Sequence, residues 1–399
     1  MIFSNSLLTL TTLAALNLPL KCFAAERAAD EVKFNRTTLM RGLDAPWDLA
    51  VTSDGAMFFT EKCRGLSVRH PDGRVTFLFG KDGAAMEAAD LFCEGQSGMN
   101  GVTLDPEFNR NRTLYVFMAS NRTTNPRTNR VVRLKLDNSL ARVLERTDII
   151  KDIPFKDREN AWGDPGAHSG GRLRFGPDGY LYVTTGDNHN GTLPQDPQRL
   201  GGKVLRVDRD GKPAPGNMSP GDPRIYTYGH RNVQGITFHP RSGQAYIAEH
   251  GPNHSDEVTA LAPGGNGGWD PKPGPGVRCE DNYCGYTSNR ADGKLTSMTD
   301  TDKFSSVLAP VRVYEDSQGL GPSLFITGTA WKTWNGKLAV GFLAGRRVEL
   351  LQLNHEGSLA ESSTTVHLPS AEIRSLVQGP DGVLYVATDA GEIWSIKPE

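Results

Sequence analysis

The chain of 399 residues is long enough for two ordinary domains or for one large repeat domain. Its formal net charge of −2 implies no basic surface, so a nucleic-acid partner is not expected. The 44 glycines and 25 prolines, together with few runs of helical period, indicate many short strands joined by turns.

The first residues, 1–24, are predicted to be a secretory signal peptide. An apolar run from Leu7 to Leu20 is followed by a candidate cleavage position at Cys22-Phe23-Ala24. The apolar run is too short to span a bilayer, and nothing later resembles a membrane helix. We therefore expect a periplasmic or secreted protein whose mature chain, 25–399, is one domain.

The cysteine pattern predicts disulfides. Removal of the signal leaves Cys63, Cys93, Cys279 and Cys284, and an even number in an exported chain favours disulfide pairing. Cys279 and Cys284 are close enough in sequence to close a local loop, which leaves Cys63 to pair with Cys93. The competing interpretation is a zinc site, for which the chain lacks a close CxxC pair.

After a possible strand at 32–39, a unit of strand, turn and strand recurs along the chain. Its turn is clearest as Ser53-Asp54-Gly55 in the first copy and Pro177-Asp178-Gly179 in the third. The six copies lie at about 43–60, 102–117, 173–184, 236–249, 334–342 and 375–388. Radial repetition of small antiparallel sheets is a propeller. The sequence therefore predicts an all-β fold, a six-bladed β-propeller of four-stranded antiparallel blades, and the alternative is a β-sandwich with a second domain.

The copies are unevenly spaced, so we expect long insertions between some blades. The largest, at about 264–306, is rich in Gly and Pro and carries the local cysteine pair. Insertions of this kind tend to lie on the binding face of a propeller.

Four loops hold the candidate functional side chains: 95–99, the glycine-rich segment around His168, 228–235 and 249–257. All four are expected at connections between blades, where they would converge on one end of the propeller axis.

The first candidate chemistry is proton transfer. His168 precedes a predicted hairpin, 172–184, which ends in Gly186-Asp187. A His that is oriented by a carboxylate is the arrangement of a general base. The alternative is a loop histidine that hydrogen-bonds a neighbouring carbonyl.

The other candidates are a cation and a set of hard oxygen ligands. Arg231 is a permanent planar cation that suits carboxylates and quinone oxygens, although it could instead pair with a structural acid. Gly251-Pro252 followed by Asp256-Glu257 offers the carbonyls and carboxylates that Ca²⁺ prefers, although the two acids could be solvated. No dinucleotide-binding glycine fingerprint is present, so nicotinamide chemistry is unsupported.

The chain resembles the soluble PQQ-dependent sugar dehydrogenases, the group of aldose sugar dehydrogenases and soluble glucose dehydrogenases. The resemblance runs in order from about Leu43 to the C-terminus and is densest between His168 and Trp269. It is carried by the segments GQSGM, HSGGRLRFGPDGYLYVTTGD, LGGKVLRVDRDG, IYTYGHRNVQG, EHGPNHSDE and GGNGGWD. That family has a six-bladed propeller, in agreement with the six copies.

The resemblance implies catalytic roles. His168 would take the hydroxyl proton from C1 of an aldose while hydride passes to C5 of the quinone, and Asp187 would orient His168. Arg231 would polarise the reactive carbonyl of PQQ, and Gln96 would lie beside the sugar hydroxyl.

The resemblance also implies ligands for the cofactor and for Ca²⁺. Asn232 and Arg374 would join Arg231 and Gln96 around PQQ. The carbonyls of Gly251 and Pro252 would bind a Ca²⁺ ion that also contacts PQQ, and a second Ca²⁺ would lie at Glu257 and Gly267.

Two positions depart from the family pattern. Ala344 stands where the family directs a Lys toward PQQ. Glu372 replaces the first Arg of an Arg-x-Arg pair, of which Arg374 remains. Because PQQ carries three carboxylates, these changes should weaken its binding by about 1–3 kcal/mol for each charged hydrogen bond lost.

The sequence therefore predicts PQQ- and Ca²⁺-dependent oxidation of an aldose sugar at C1 to the lactone. Electrons would pass to an external acceptor, a cytochrome or a quinone, and the protein would be a monomer or a homodimer. Two alternatives remain: a calcium-dependent lactonase-type hydrolase, and a non-catalytic sugar-binding propeller that has lost affinity for PQQ.

Overall fold

The computed structural model describes residues 32–157, 163–271 and 296–399, which form six sheets. The predicted signal peptide and the predicted Cys279–Cys284 pair lie outside the described residues. No helix in the described part of the chain is long and apolar enough to cross a membrane.

The strands follow one another as consecutive small sheets. Strand β1 is Phe34–Met40. The first blade contains β2 (Pro46–Val51), β3 (Met57–Glu61), β4 (Gly65–Arg69), β5 (Val75–Gly80) and β6 (Met86–Glu87). The second contains β7 (Met99–Leu104), β8 (Thr113–Ser120), β9 (Thr128–Leu136) and β10 (Val143–Pro154), with the short helix α1 (Phe108–Asn111). The third contains β11 (Leu173–Phe175), β12 (Leu181–Thr184), β13 (Lys203–Val207) and β14 (Ile225–Tyr228).

The second half of the chain continues the pattern. The fourth blade contains β15 (Val233–Phe238), β16 (Ala245–Glu249), β17 (His254–Ala260) and β18 (Pro310–Asp316). The fifth contains β19 (Leu320–Phe325), β20 (Leu338–Phe342), β21 (Val348–Leu353) and β22 (Ala360–Val366), with a 3₁₀ segment at Thr329–Trp334. The sixth contains β23 (Ile373–Gln378), β24 (Leu384–Thr388) and β25 (Ile393–Pro398).

The predicted six-bladed propeller of four-stranded antiparallel blades is confirmed. The first strands of the blades, β2, β7, β11, β15, β19 and β23, contact one another in a closed ring. Two details were not predicted: β6 adds a short parallel pair to the first blade, and β1 completes the sixth blade by pairing antiparallel with β25.

The hydrophobic core lies between neighbouring blades. Phe58 and Leu66 of the first blade, for example, pack in one cluster with Val116 and Leu134 of the second. A predicted disulfide is also confirmed, since Cys63, after β3, is bonded to Cys93, which precedes β7. The two cysteines therefore tie the first blade to the loop that enters the second.

Five of the six predicted copies contain the first two strands of a blade, and the fifth, at 334–342, contains only the second strand, β20. In an antiparallel blade, the loops that enter the first strand and the loops between the second and third strands lie at the same face. The turns between the first and second strands, which include Pro177-Asp178-Gly179, lie at the opposite face. The loops that converge on the axis are therefore different from the turns by which the repeat was recognised in the sequence.

Two expectations about the fourth blade were wrong. The insertion at 264–306 lies between β17 and β18 of one sheet, not between blades. The loop at 249–257 joins β16 to β17 inside a blade, and β17 begins at His254. This loop still reaches the same face as the other three, because a connection between second and third strands leaves the sheet at that end.

Candidate active site

A cavity of about 570 Å³ lies on the propeller axis at the face where these loops converge. Every blade, or the loop that enters it, contributes to the lining. One residue from each, in blade order, is Lys62, Gln96, His168, Arg231, Ala344 and Arg374.

His168 and Asp187 meet at this cavity, as the sequence predicts. The His168 Nδ1 lies 2.7 Å from Asp187 Oδ1, and His168 lines the cavity while Asp187 is fully buried behind it. Asp187 Oδ2 also accepts a hydrogen bond of 2.8 Å from the indole Nε1 of Trp269. His168 has a left-handed backbone with φ of 52°, which an L-residue rarely adopts and which turns its ring toward the cavity.

A second histidine, which sequence reasoning missed, stands against the first. His189 Nε2 lies 2.8 Å from His168 Nε2, and the two rings are nearly perpendicular. The backbone N–H of His189 donates to Asp187 Oδ1 over 3.0 Å. The only sequence signal was its position two residues after Asp187.

Burial keeps both imidazoles neutral. Desolvation lowers the pKa of His168 well below its usual range, and the positive charge of Arg231 adds to the effect. Desolvation, followed by repulsion from His168, lowers the pKa of His189 to about 2. Burial raises the pKa of Asp187, against the lowering effect of Arg231. At neutral pH the two rings therefore offer lone pairs rather than positive charges.

The loop that enters β15 places a cation and an amide at the cavity wall. Arg231 is buried, and its Nη1 donates to the carbonyl of His250 over 3.0 Å. Its backbone N–H is held by the Glu249 carboxylate. Asn232 is buried, and its Oδ1 accepts from the N–H of Gly170 over 3.2 Å. Both side chains are therefore fixed before any ligand enters.

The cavity lining also includes the two positions that depart from the expected family pattern. Glu372 and Arg374 both line the cavity and form an ion pair with each other. Ala344 also lines the cavity and brings no charge. Gln96 is exposed at the rim, and nearby Lys62 donates from Nζ to the carbonyl of Gly95 over 2.9 Å.

The predicted calcium loop is only partly exposed to the cavity. Gly251 lines the cavity, whereas Pro252 is buried without lining it. Asp256 is fully buried and accepts backbone N–H groups from Gly251, Gln318 and Gly319 at 2.6–2.7 Å. Asp256 therefore organises the loop, and the carbonyls are the groups left to face a ligand.

Glu257 and Gly267 lie outside the cavity. Glu257 is buried and pairs across the strands with Glu249, and burial together with this second carboxyl raises the pKa of Glu257 to about 8. The hydroxyl of Thr299 lies 2.8 Å from Glu257 Oε2. A Cβ at Gly267 would lie 2.6 Å from the carbonyl oxygen of Gly229, so a larger residue would not fit. Among the described residues, no cluster of three or more His, Cys, Asp or Glu side chains is arranged to hold a metal.

The structure thus brings some of the predicted residues together and separates others. Those that line the cavity are Gln96, His168, Arg231, Asn232, Gly251 and Arg374. Asp187 acts on the cavity through His168, while Pro252, Glu257 and Gly267 do not line it. Besides His189, sequence reasoning missed the indole of Trp269 and the rim cation Lys62, for which no spacing rule exists.

Comparison with known proteins finds similarity to sugar dehydrogenases along most of the chain. A family model described as glucose/sorbosone dehydrogenase matches residues 43–395. The aldose sugar dehydrogenase YliI of Escherichia coli (strain K12) is 28% identical over 388 residues, which covers 96% of this chain and 97% of the relative. Quinoprotein glucose dehydrogenase B of Acinetobacter calcoaceticus is 27% identical over 365 residues, covering 82% of this chain and 71% of the relative.

The fold comparison agrees with the sequence comparison. The crystal structure of the soluble aldose sugar dehydrogenase from Escherichia coli, in its apo-form, superposes with a TM-score of 0.74 at 27% identity. The superposition covers 92% of this chain and 100% of that chain.

Proposed function

The chain belongs to the glucose/sorbosone dehydrogenase family, and from this premise we propose that it oxidises an aldose sugar at C1 to the lactone, with PQQ as the electron acceptor in the site and Ca²⁺ as its metal. The observation that carries the proposal is His168, held by Asp187 over 2.7 Å in a cavity that Arg231 also lines. A base and a cation that face one small cavity are what removal of a proton and a hydride from one alcohol requires.

The cavity fits a carboxylated quinone. Its lining includes the cations Lys62, Arg231 and Arg374, which suit carboxylates and carbonyl oxygens. The same lining carries two acids, Glu372 and Asp389, so the cations are in excess by one. The buried Nε2 of His250, another lining residue, has no hydrogen-bond partner among the described residues. A buried polar atom of this kind is expected to meet a ligand atom. When bound, PQQ would supply the quinone that accepts the hydride.

The proton chemistry belongs to the chain itself. Asp187 accepts N–H donors at both oxygens, so His168 presents its Nδ1–H to Asp187 and leaves Nε2 as the acceptor. Burial keeps the pKa of His168 low, so Nε2 is unprotonated at neutral pH. Nε2 takes the proton from the C1 hydroxyl, and Asp187 stabilises the imidazolium that results. The Arg231 guanidinium, which donates to the His250 carbonyl, places positive charge where negative charge develops.

Two calcium positions are proposed. At the first, the tight turn after Gly251 brings carbonyls together, since a Cβ on Gly251 would lie 1.9 Å from the carbonyl oxygen of His254. There Gly251 and Pro252 would hold an ion by their carbonyls. At the second, Glu257 lies opposite Glu249, and a cation near Gly267 would stabilise the charged form of the buried Glu257 carboxyl.

The setting follows from the same proposal. The substrate is a small sugar, and electrons leave to a cytochrome or a quinone. The predicted signal peptide makes the periplasm or the exterior the site of action. Gln96 at the rim would contact the sugar beside the cofactor.

The first experiment adds PQQ and Ca²⁺ to the purified protein and follows dye reduction with a panel of aldoses. We expect saturable turnover that EDTA abolishes. His168→Gln should lower kcat by about 10²–10⁴-fold, the usual contribution of a general base, and leave PQQ binding intact. His355→Gln is the matched control, because the His355 side chain is 97% exposed.

The opposite result would have a defined meaning. If PQQ gave neither a spectral change nor turnover, the Glu372–Arg374 ion pair and the uncharged Ala344 would favour a sugar-binding propeller without PQQ. If the protein hydrolysed a lactone without PQQ, its function would be that of a lactonase-type hydrolase and not of a dehydrogenase.

A further inference from the structure

The atom of His168 that must accept the substrate proton is already in contact with another side chain. His189 Nε2 lies 2.8 Å from His168 Nε2, which is hydrogen-bond distance. The ring centroids are only 3.8 Å apart with an interplanar angle of 83°, so the two rings meet edge to edge at an angle and the N–H···N contact is bent rather than linear. Both rings line the cavity, so the contact lies where a substrate hydroxyl would have to approach.

Proton counting decides which nitrogen donates. Asp187 accepts from the backbone N–H of His189 and from the indole of Trp269, neither of which can accept in return. The same carboxylate therefore takes the Nδ1–H of His168, and the Nε2 of His168 carries a lone pair. Two facing lone pairs would repel, so the Nε2 of His189 carries the hydrogen and donates it to His168.

The backbone around His189 is shaped to make this contact. Asn188 and His189 both have a left-handed φ of 53°. A left-handed backbone is unfavourable for a residue other than glycine and persists where the surroundings hold it in place. Asn188 is held by His168, since its backbone N–H and its Nδ2 donate to the His168 carbonyl at 3.2 and 3.0 Å. The two histidines are therefore fixed as a unit rather than by a chance side-chain orientation.

We propose that His189 controls access to the general base: in the free site its Nε2–H occupies the lone pair of His168 Nε2, and the sugar hydroxyl must displace it before His168 can take a proton. This inference rests on the proposed function for its substrate but not for the hydrogen bond itself. The low pKa of both rings supports it, because a protonated His168 would have no lone pair to offer. His189 is a positioning residue whose effect lies in substrate binding rather than in the chemical step.

Two substitutions of His189 distinguish the effect of its N–H donor from the effect of its imidazole ring. His189→Asn tolerates the left-handed backbone but is too short to reach His168. His189→Gln is longer and keeps an N–H donor that can reach the base. The asparagine variant should therefore release the lone pair of His168, and the glutamine variant should retain the contact.

The direct measurement is ¹⁵N NMR of histidine-labelled protein without PQQ or sugar. In the unmodified protein we expect a scalar coupling between the Nε2 atoms of the two histidines across the N–H···N bond. His189→Asn should move the His168 Nε2 resonance toward the value of a free lone pair, and His189→Gln should restore most of the shift. Absence of the coupling together with an unmoved His168 resonance would overturn the proposal.

Kinetics give the second readout. Loss of one hydrogen bond that the substrate must replace should lower KM for the sugar by about two- to tenfold in His189→Asn. His189→Gln should return KM toward that of the unmodified protein. A fall in kcat with no change in KM would overturn the proposal, because it would make His189 a participant in the chemical step. If no variant turned over with PQQ, the proposed function would fail while the NMR result still decided the role of His189.

Discussion

Charge at the cavity wall is set by single residues, and Glu372 is an acid there that would oppose the proposed carboxylated cofactor. It forms an ion pair with Arg374, and both line the cavity. Arg374 must therefore exchange a partner in the same chain for one on the ligand. The retained arginine is the residue of choice for a carboxylate, but its positive charge is already balanced.

Glu372→Gln should therefore strengthen PQQ binding. Removing the anion frees Arg374 for a ligand carboxylate, and one charged hydrogen bond corresponds to about 1–3 kcal/mol, or roughly a five- to hundredfold lower Kd. The measurement is a PQQ titration of the protein in Ca²⁺, followed by absorbance. Glu361→Gln, an exposed change on β22, is the control. An unchanged or higher Kd for Glu372→Gln would show that Arg374 does not bind the cofactor.

Among single residues, the sequence predicted those that lie within one short motif. His168 and Asp187 were predicted as a pair because they frame one hairpin, and they are in contact. Trp269 and His189 were not found, because an indole that reaches Asp187 across 82 positions leaves no local pattern. The His–His contact depends on two left-handed residues, which only the folded backbone specifies.

One connection, from β12 to β13, supplies two of the three side chains of the proposed proton-transfer site, Asp187 and His189. It carries Asp187, Asn188 and His189 and ends at Lys203. The Lys203 ammonium is fully buried and donates to the carbonyls of Leu193, Pro194 and Gly201 at 2.7–3.0 Å. Burial lowers the pKa of this ammonium to about 7, which shows that the charged form is disfavoured in the interior. Its three carbonyl partners offset part of the cost of burying the group.

Lys203→Met should therefore destabilise the protein. It leaves three buried carbonyls without their donor, and each unsatisfied group costs about 1–3 kcal/mol, so we expect the free energy of unfolding to fall by several kcal/mol. Thermal unfolding by calorimetry measures the loss, and Lys212→Met on the exposed turn after β13 is the control. Equal stability of the two variants would mean that Lys203 contributes nothing to holding this connection.

At the scale of strands and loops, the turn residues predicted where hairpins lie, whereas the long connections did not predict which strands pair. Turns of the type Asp-Gly, Ser-Gly or Asn-Gly marked most of the copies because hairpins need such residues locally. The insertion at 264–306 was assigned between blades, although it lies between β17 and β18. Strands that pair across such an insertion carry no signal of their partner, because pairing is decided by the sheet and not by sequence distance.

The ring of blades is closed by strands from the two ends of the described domain. β1 pairs with β25 from Phe34 opposite Pro398 to Met40 opposite Ile393. Arg36 lies over the ring of Trp394 at 5.0 Å, and Phe34 packs against Trp334 with ring centroids 5.5 Å apart. The sequence suggested a strand at 32–39 and six copies of a unit, but not that this strand completes the last copy. A pairing between residues more than 300 positions apart cannot be read from a local pattern.

A chain that begins at Arg41 should lose this closure, whereas a chain that begins at Val32 keeps every strand of the described domain. Without β1, the edge of β25 loses its hydrogen-bond partners, and Val32 and Phe34 no longer cover the cluster that contains Trp394. Several ladder hydrogen bonds at about 1 kcal/mol each, together with the lost apolar burial, amount to about 5 kcal/mol or more. Denaturant unfolding of the two chains measures the difference, and light scattering should show association of the shorter chain, because an unpaired strand edge pairs with other chains. If both chains unfolded at the same denaturant concentration and stayed monodisperse, the ring would be held by contacts between the first strands of the blades rather than by its closing strand.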